Sequence, residues 1–337
     1  MMVRRAAMAA LAAALILAGC AKTGGGGADS ATLKPDVINF SILSAEDQQS
    51  MASVWQPLLD DMQKDTGLKV KAFYASNYTA LVEAMRFKQV QVGWFSANPA
   101  VEATKRADAE VLGRIIDKGG EGGTYESVLI TRKGSGITLD DVLKCGKRYT
   151  FGIGDAESTS GTLAPMTYVF MPHNIEPTDC FKTVRSASHQ SNMFSVANGV
   201  LDVATNNTVG ILFAKRENPA LAAKIQVIWT SPPLPESCIL VRKDLDPAIK
   251  EKLRHFFLTY GTQPGPEGDR QRKVLDQLTY GGFRQADDSY LDPVRQMQAS
   301  QALSEAKRSG DAAKIAAAQK DYDAIAARIA GQAKAAS

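Results

Sequence analysis

Histidine and cysteine are scarce, with three and four residues among 337. No two cysteines have C-x-x-C spacing and no histidines pair at ligand spacing, so neither a metal site nor a cofactor held by such ligands is expected. An excess of one charge is also missing. Thirty-nine Lys and Arg face 36 Asp and Glu for a net +3, and two of those positive charges, Arg4 and Arg5, sit in a leader-like segment. A chain so nearly neutral cannot neutralise a run of phosphates, which excludes nucleic acid as a partner. No G-x-S-x-G elbow is present, which argues against a serine hydrolase. After the first twenty residues no apolar run is long enough to span a bilayer.

What is present begins with an address. Arg4 and Arg5 precede the apolar stretch Ala6–Leu17, and Leu17-Ala18-Gly19-Cys20 resembles a bacterial lipobox. Residues 1–20 therefore read as a lipoprotein signal peptide, with Cys20 as the lipidated first residue of the mature chain. Residues 21–36, with Gly24–Gly27, read as a flexible tether, and the protein is expected in the periplasm or cell envelope, held to a membrane by its lipid. Three cysteines remain: Cys145, Cys180 and Cys238. Cys145 and Cys180 each precede a strand-like run and could be bonded; two separately buried thiols are the alternative.

From Val37 strands and helices alternate: strand Val37–Leu43, helix Gln49–Thr66 closed by Gly67, strand Lys69–Phe73, helix Tyr78–Phe87, strand Val90–Trp94, helix Asn98–Asp108. Repeating βα units predict a mostly parallel sheet covered by helices. Two segments then echo each other, Glu126-Ser127-Val128-Leu129-Ile130-Thr131-Arg132-Lys133 and Glu236-Ser237-Cys238-Ile239-Leu240-Val241-Arg242-Lys243. A chain that leaves one lobe, builds a second and returns needs two crossing strands, and these read as that pair. The expected division is 37–130 with 238–292 as lobe 1, 131–237 as lobe 2, and 293–337 as an Ala-rich helical tail interrupted at Gly310.

The stretch Gly152-Ile153-Gly154-Asp155-Ala156-Glu157-Ser158-Thr159-Ser160-Gly161 runs from a strand end through a loop to a helix start. Open α/β sheets bind ligands beyond the carboxyl ends of their strands, and a helix start offers unpaired N–H groups to an anion. Ser158, Thr159 and Ser160 add hydroxyls, and Gly161 would let a ligand oxygen approach the backbone. A plain Ser/Thr helix cap is the alternative.

Ile38-Asn39-Phe40, Ala84-Met85-Arg86-Phe87, the Gly154–Gly161 loop and Asp202-Val203-Ala204-Thr205-Asn206-Asn207-Thr208 together resemble the phosphonate-binding periplasmic proteins, the PhnD family. The likeness runs in order from about Val37 to Met297. It implies a type II periplasmic-binding fold, two α/β lobes joined by two hinge strands, with a C-terminal helix that helps form a homodimer. It also implies delivery of a small phosphorus oxyanion to an ABC permease powered by an ATPase, with no catalysis and no cofactor. Carried over by position, the ligand oxygens fall to Ser158, Thr159 and Ser160 with Gly161, to Tyr78 and Tyr125, and to His189. A phosphite- or phosphate-binding protein and a ligand-sensing receptor partner are the alternatives. A hydrolytic pair of Ser158 or Ser160 with His189 lacks a carboxylate to orient the histidine. Members that take 2-aminoethylphosphonate carry acids where this chain has Val209 and Ser237. The nearby Glu126 and Glu236 could compensate, but strand alternation would turn Glu236 away from Ser237, so a ligand without an amine is expected.

Overall fold

The computed structural model describes residues 32–118 and 123–336. The leader, Cys20, tether residues 21–31 and the glycine-rich 119–122 lie outside the described residues. In chain order the strands are β1 (Ile38–Ile42), β2 (Val70–Tyr74), β3 (Val92–Phe95), β4 (Ala109–Asp117), β5 (Thr124–Tyr125), β6 (Ser127–Arg132), β7 (Thr150–Ile153), β8 (Thr183–Ser186), β9 (Val203–Asn207), β10 (Ile225–Thr230), β11 (Leu234–Pro235), β12 (Cys238–Arg242) and β13 (Tyr280–Gln285). They form one sheet in the order β13-β4-β12-β3-β1-β2, a second in the order β10-β6-β9-β7-β8, and a ribbon of β5 with β11.

The first sheet is parallel only across β2, β1 and β3; β12 lies antiparallel between β3 and β4, and β13 antiparallel beside β4. A mostly parallel sheet was the expectation. The difference comes from β12, which returns from the other lobe instead of arriving through a βα crossover, and so enters the sheet in the opposite sense.

The echoing segments do not both cross between lobes. β6 lies wholly in the second sheet, paired with β9 and β10, and β12 lies wholly in the first. The crossing falls just before each of them, at the antiparallel ribbon where Leu234 pairs with Tyr125. The likeness between the segments reflects burial: both are apolar central strands, each buried at nearly every position. The expected tether also ends early. Leu33 bridges to Leu245, its N–H donating to Asp244 and its C=O accepting from Asp246, so this stretch is docked on the first lobe.

In the first lobe the helix Gln48–Thr66 buries Met51, Trp55, Leu58, Leu59 and Met62 along one stripe, capped by Asp47 and ended by left-handed Gly67. In the second lobe the sheet is covered on both faces. Leu129, Phe151 and Val203 point into one core, and Val128, Ile130 and Ala204 into the other, the period-2 alternation of a doubly covered sheet. Phe151 stacks on Phe181 at 4.3 Å, and at the edge of this core Cys145 and Cys180 form a disulfide. Cys238 is a buried free thiol.

The tail is a helical hairpin, Asp292–Ser309 and Ala312–Ala336, turned at left-handed Gly310. Buried Asp292 ties the two arms together, accepting from Arg295, Arg328 and Gln332. No helix among the described residues is long and apolar enough to cross a membrane.

Candidate phosphorus-oxyanion site

The helix after β7 starts irregularly. Its first turns, Thr159–Leu163, are of the wide π type, with the Leu163 N–H reaching back to the Ser158 carbonyl at 3.0 Å. Pro165 has no N–H to return to the Gly161 carbonyl, and that carbonyl accepts instead from the Gly154 N–H at 2.9 Å. The strand end and the helix start thus touch backbone to backbone. A Cβ at Gly154 would stand 2.5 Å from the Gly161 Cα, and one at Gly161 would stand 2.8 Å from the Gly154 Cα. This corrects the reading of Gly161. It does not line the cleft, and its N–H is taken by the Ser158 Oγ at 2.9 Å. Glycine is required there for the loop to close on itself.

The helix tip faces a buried cleft between the lobes, lined by Tyr78, Tyr125, Ser158, Ser160 and His189 among others. All five are buried. The Ser158 hydroxyl accepts from Gly161, and Ser160 accepts from the Asn207 amide at 3.3 Å, so each keeps its own hydrogen to donate. His189 opens the helix His189–Ala197, capped by Ser188, and its Nε2 lies 3.5 Å from the Ser158 Oγ and 3.4 Å from the Ser160 Oγ. Its Nδ1 is buried without a partner among the described residues. Burial pushes its pKa down to about 4, so the ring is neutral at neutral pH.

Tyr78 is the first residue of the helix Tyr78–Arg86, fixed by the Asn77 cap, and its backbone N–H donates to Asp155 of the other lobe. Its hydroxyl meets Ser158, and the Tyr125 hydroxyl meets Ser160 and Thr159. Burial, aided by the Glu236 charge at Tyr125 and by Tyr125 and Asp155 at Tyr78, holds both phenols protonated. They are therefore donors. Thr159 departs from its expected role: its Oγ1 accepts the Asn98 N–H at 2.8 Å and lies 3.3 Å from the Ser96 Oγ. That hydroxyl fastens one lobe to the other, leaving only the backbone of Thr159 for a ligand.

Val209 and Ser237 both line the cleft. Glu236 lines it too, against the expectation that it would face away. Residues 236 and 237 fall between β11 and β12, where strand alternation does not hold, and the Glu236 carboxylate folds back to accept the Ser237 N–H at 2.7 Å. Glu126 instead accepts from the Thr208 hydroxyl and does not line the cleft. A second carboxyl, Glu46, was not anticipated. It stands in the loop beyond the carboxyl end of β1, and that position was the available signal, since ligands meet α/β sheets there. Two carboxyls thus reach the cleft beside Val209 and Ser237.

The cavity measures about 60 Å³. Drug-sized ligands occupy clefts of roughly 300–1,000 Å³, so this cavity matches a small head group. Residues 40–291 match the family described as ABC transporter, phosphonate, periplasmic substrate-binding protein.

The chain belongs to that family.

As a phosphonate-family binding protein it is 41% identical over 261 residues to the phosphonates-binding periplasmic protein of Escherichia coli (strain K12), covering 77% of this chain and 75% of that one. It superposes with a TM-score of 0.83 on a binding-protein component of an ABC phosphonate transporter from Pseudomonas aeruginosa, at 36% identity, covering 89% of this chain and 99% of the other. A Prochlorococcus marinus family structure in complex with methylphosphonate shares the fold, with a TM-score of 0.69 at 19% identity over 78% of this chain and 97% of that one. The type II periplasmic-binding fold with its helical C-terminal region is thereby established for this family member, as is its place as the substrate-binding component of an ABC importer.

Proposed function

We propose that this protein captures a phosphonate in the inter-lobe cleft and releases it to a membrane permease. The observation that carries the reading is the convergence, on one small buried cavity, of a helix start and three side chains from other elements. Ser158 and Ser160 offer hydroxyls, and the helix-start N–H groups ahead of Gly161 have no preceding turn to bond to. Tyr78 and Tyr125 close over them from the first lobe and the crossing ribbon. His189, neutral through burial, takes up a proton when a dianion arrives beside it. Charge-assisted hydrogen bonds of this kind contribute about 1.5–3 kcal/mol each, more than the ~0.3–2 kcal/mol of the helix dipole, so the hydroxyls, amides and imidazole hold the ligand more than the dipole does.

The lobes rotate about the β5–β11 ribbon, and ligand binding draws them together across contacts such as Tyr78 N–H to Asp155. Residue 20, as a lipidated cysteine, holds the protein at a membrane, and the outer arm of the tail hairpin is the surface for a homodimer. Titration calorimetry with phosphate, phosphite and methylphosphonate tests the central reading: methylphosphonate is expected to bind tightest. A phosphite or phosphate preference would move the protein to the alternative ligand class on the same fold. Metabolic labelling with a fatty acid, lost in Cys20→Ala, tests the anchor. A single monomeric species in sedimentation removes the dimer.

A further inference from the structure

Groups outside the cleft also join the lobes. Asn98, in the first turn of the first-lobe helix Ala97–Arg106, is buried and ties three parts of the molecule together. Its backbone N–H donates to the Thr159 Oγ1 at 2.8 Å, and its Nδ2 donates to the Glu157 carbonyl at 2.9 Å. Both partners belong to the second-lobe loop and helix start that form the cradle. Its Oδ1 accepts from Gln298 of the inner tail helix at 2.8 Å. Three residues on, Gln301 donates to the Leu163 carbonyl at 3.2 Å and to the Thr167 hydroxyl at 3.3 Å, on the helix that the cradle begins. Neither Asn98, Gln298 nor Gln301 lines the cleft. The inner tail helix itself is built into the first lobe. Val294 and Met297 are buried in that lobe's core, Arg295 donates to the Asp288 carbonyl at 2.6 Å, and Lys105 donates to Gln298 at 2.8 Å.

We propose that Asn98, Gln298 and Gln301 are positioning residues for capture: a latch outside the cleft that holds the lobes shut, so that retention of the ligand depends on three side chains that never touch it. This rests on the reading of the cleft as the ligand site. Gln298 and Gln301 share a face of one helix, and a helix fixed to the first lobe cannot follow the second when the lobes part. Opening therefore breaks the bonds of Gln301 to Leu163 and Thr167, and those of Asn98 to Thr159 and Glu157. Gln298 acts through Asn98, fixing the amide whose Nδ2 grips the cradle loop. Each bond that forms only on closing deepens the closed state. Because a ligand enters before the lobes shut, the gain appears as slower release.

Stopped-flow kinetics of the full chain with methylphosphonate and ethylphosphonate test the latch. Gln301→Met keeps the side-chain length and removes its donors. It is expected to raise the dissociation rate of both ligands by the same factor, about 2–10-fold for the neutral hydrogen bonds lost, with the association rate unchanged. Asn98→Asp keeps the shape and turns the Nδ2 donor into an oxygen facing the Glu157 carbonyl, for an expected rise of about 10-fold or more. Gln301→Met lies on the tail and keeps the test open should the buried Asn98 variant fail to fold. A purely structural role for the tail would lower the melting temperature and leave dissociation unchanged. Unchanged dissociation in Gln301→Met therefore overturns the latch and leaves the cradle reading standing. A factor that differs between the two ligands overturns it as well, since a contact outside the cleft has no means to tell them apart. If neither ligand binds the wild-type protein, the cleft reading falls and the latch with it.

Discussion

The two walls of the cleft are built in opposite ways. The second-lobe wall is backbone and short hydroxyls: a glycine-locked loop, two serines and a histidine held by the Asn206 amide at its carbonyl. The first-lobe wall is large rings with carboxyls at its edges. A wall made of main chain leaves little room for variation, because moving one donor moves all of them. A wall made of side chains can change one contact at a time. On the proposed reading, most of the grip on the phosphorus head group would come from the second lobe, and the first would adjust to the substituent.

The sharpest way to break that contrast is Gly161→Ala. Its Cβ would meet the Gly154 Cα at 2.8 Å, main chain that cannot swing aside, so strand end and helix start must part. Binding of every phosphonate is expected to fall below detection, with the fold retained by circular dichroism. A variant that still binds would show that the backbone lock is not what shapes the cradle. Next in size, Ser158→Ala with Ser160→Ala removes two charge-assisted donors at about 1.5–3 kcal/mol each, an expected loss of roughly 100-fold or more by calorimetry. That loss should be the same for methyl- and aminoethylphosphonate. A loss that differs between ligands would mean the two walls are not separate in their tasks.

Removing the Cys145–Cys180 disulfide by double Ser substitution should cost about 2–4 kcal/mol in denaturant unfolding and leave affinity unchanged. The bridge sits at the far edge of the second-lobe core, away from the cleft. The smallest effects concern pH, and the two walls pull in opposite directions. His189 titrates near 4 when folded and 6.5 when unfolded, so the unfolded chain gains a proton first as pH falls, and stability declines across that window by up to ~3 kcal/mol. Glu46, raised to about 8 by burial and then by Asp47, stays protonated in the folded chain while the unfolded chain ionises, so stability declines as pH rises from 4.5 toward 8. Urea melts of the ligand-free protein are expected to show His189→Gln flattening the acid limb and Glu46→Gln flattening the alkaline one.

The contrast also explains what could be read from the chain alone. The cradle was legible because its parts are contiguous: glycines, hydroxyls and a strand-to-helix change within ten residues. Tyr78, Tyr125 and His189 were reached only through the family likeness, since a lone tyrosine or histidine carries no local signal of what faces it. Gly161 was assigned to the ligand although it serves Gly154, a contact between two segments that spacing cannot express. Thr159 was assigned likewise, although Ser96 and Asn98 of the other lobe claim its hydroxyl. Glu236 was misplaced because the strand pattern was extended two residues too far. Glu46 looks in sequence like any solvated acid ahead of a helix, and only the arrival of Val209 and Gly210 from the opposite lobe makes it part of the cleft.

The inner tail helix, 292–309, is attached to both lobes at once. Gln298 donates to the Asn98 side chain on one, and Gln301 donates to the Leu163 carbonyl and Thr167 hydroxyl on the other. Asn98 in turn grips Thr159 and the Glu157 carbonyl. The tail is thus a strap across the two lobes, fastened through residues that do not line the cleft.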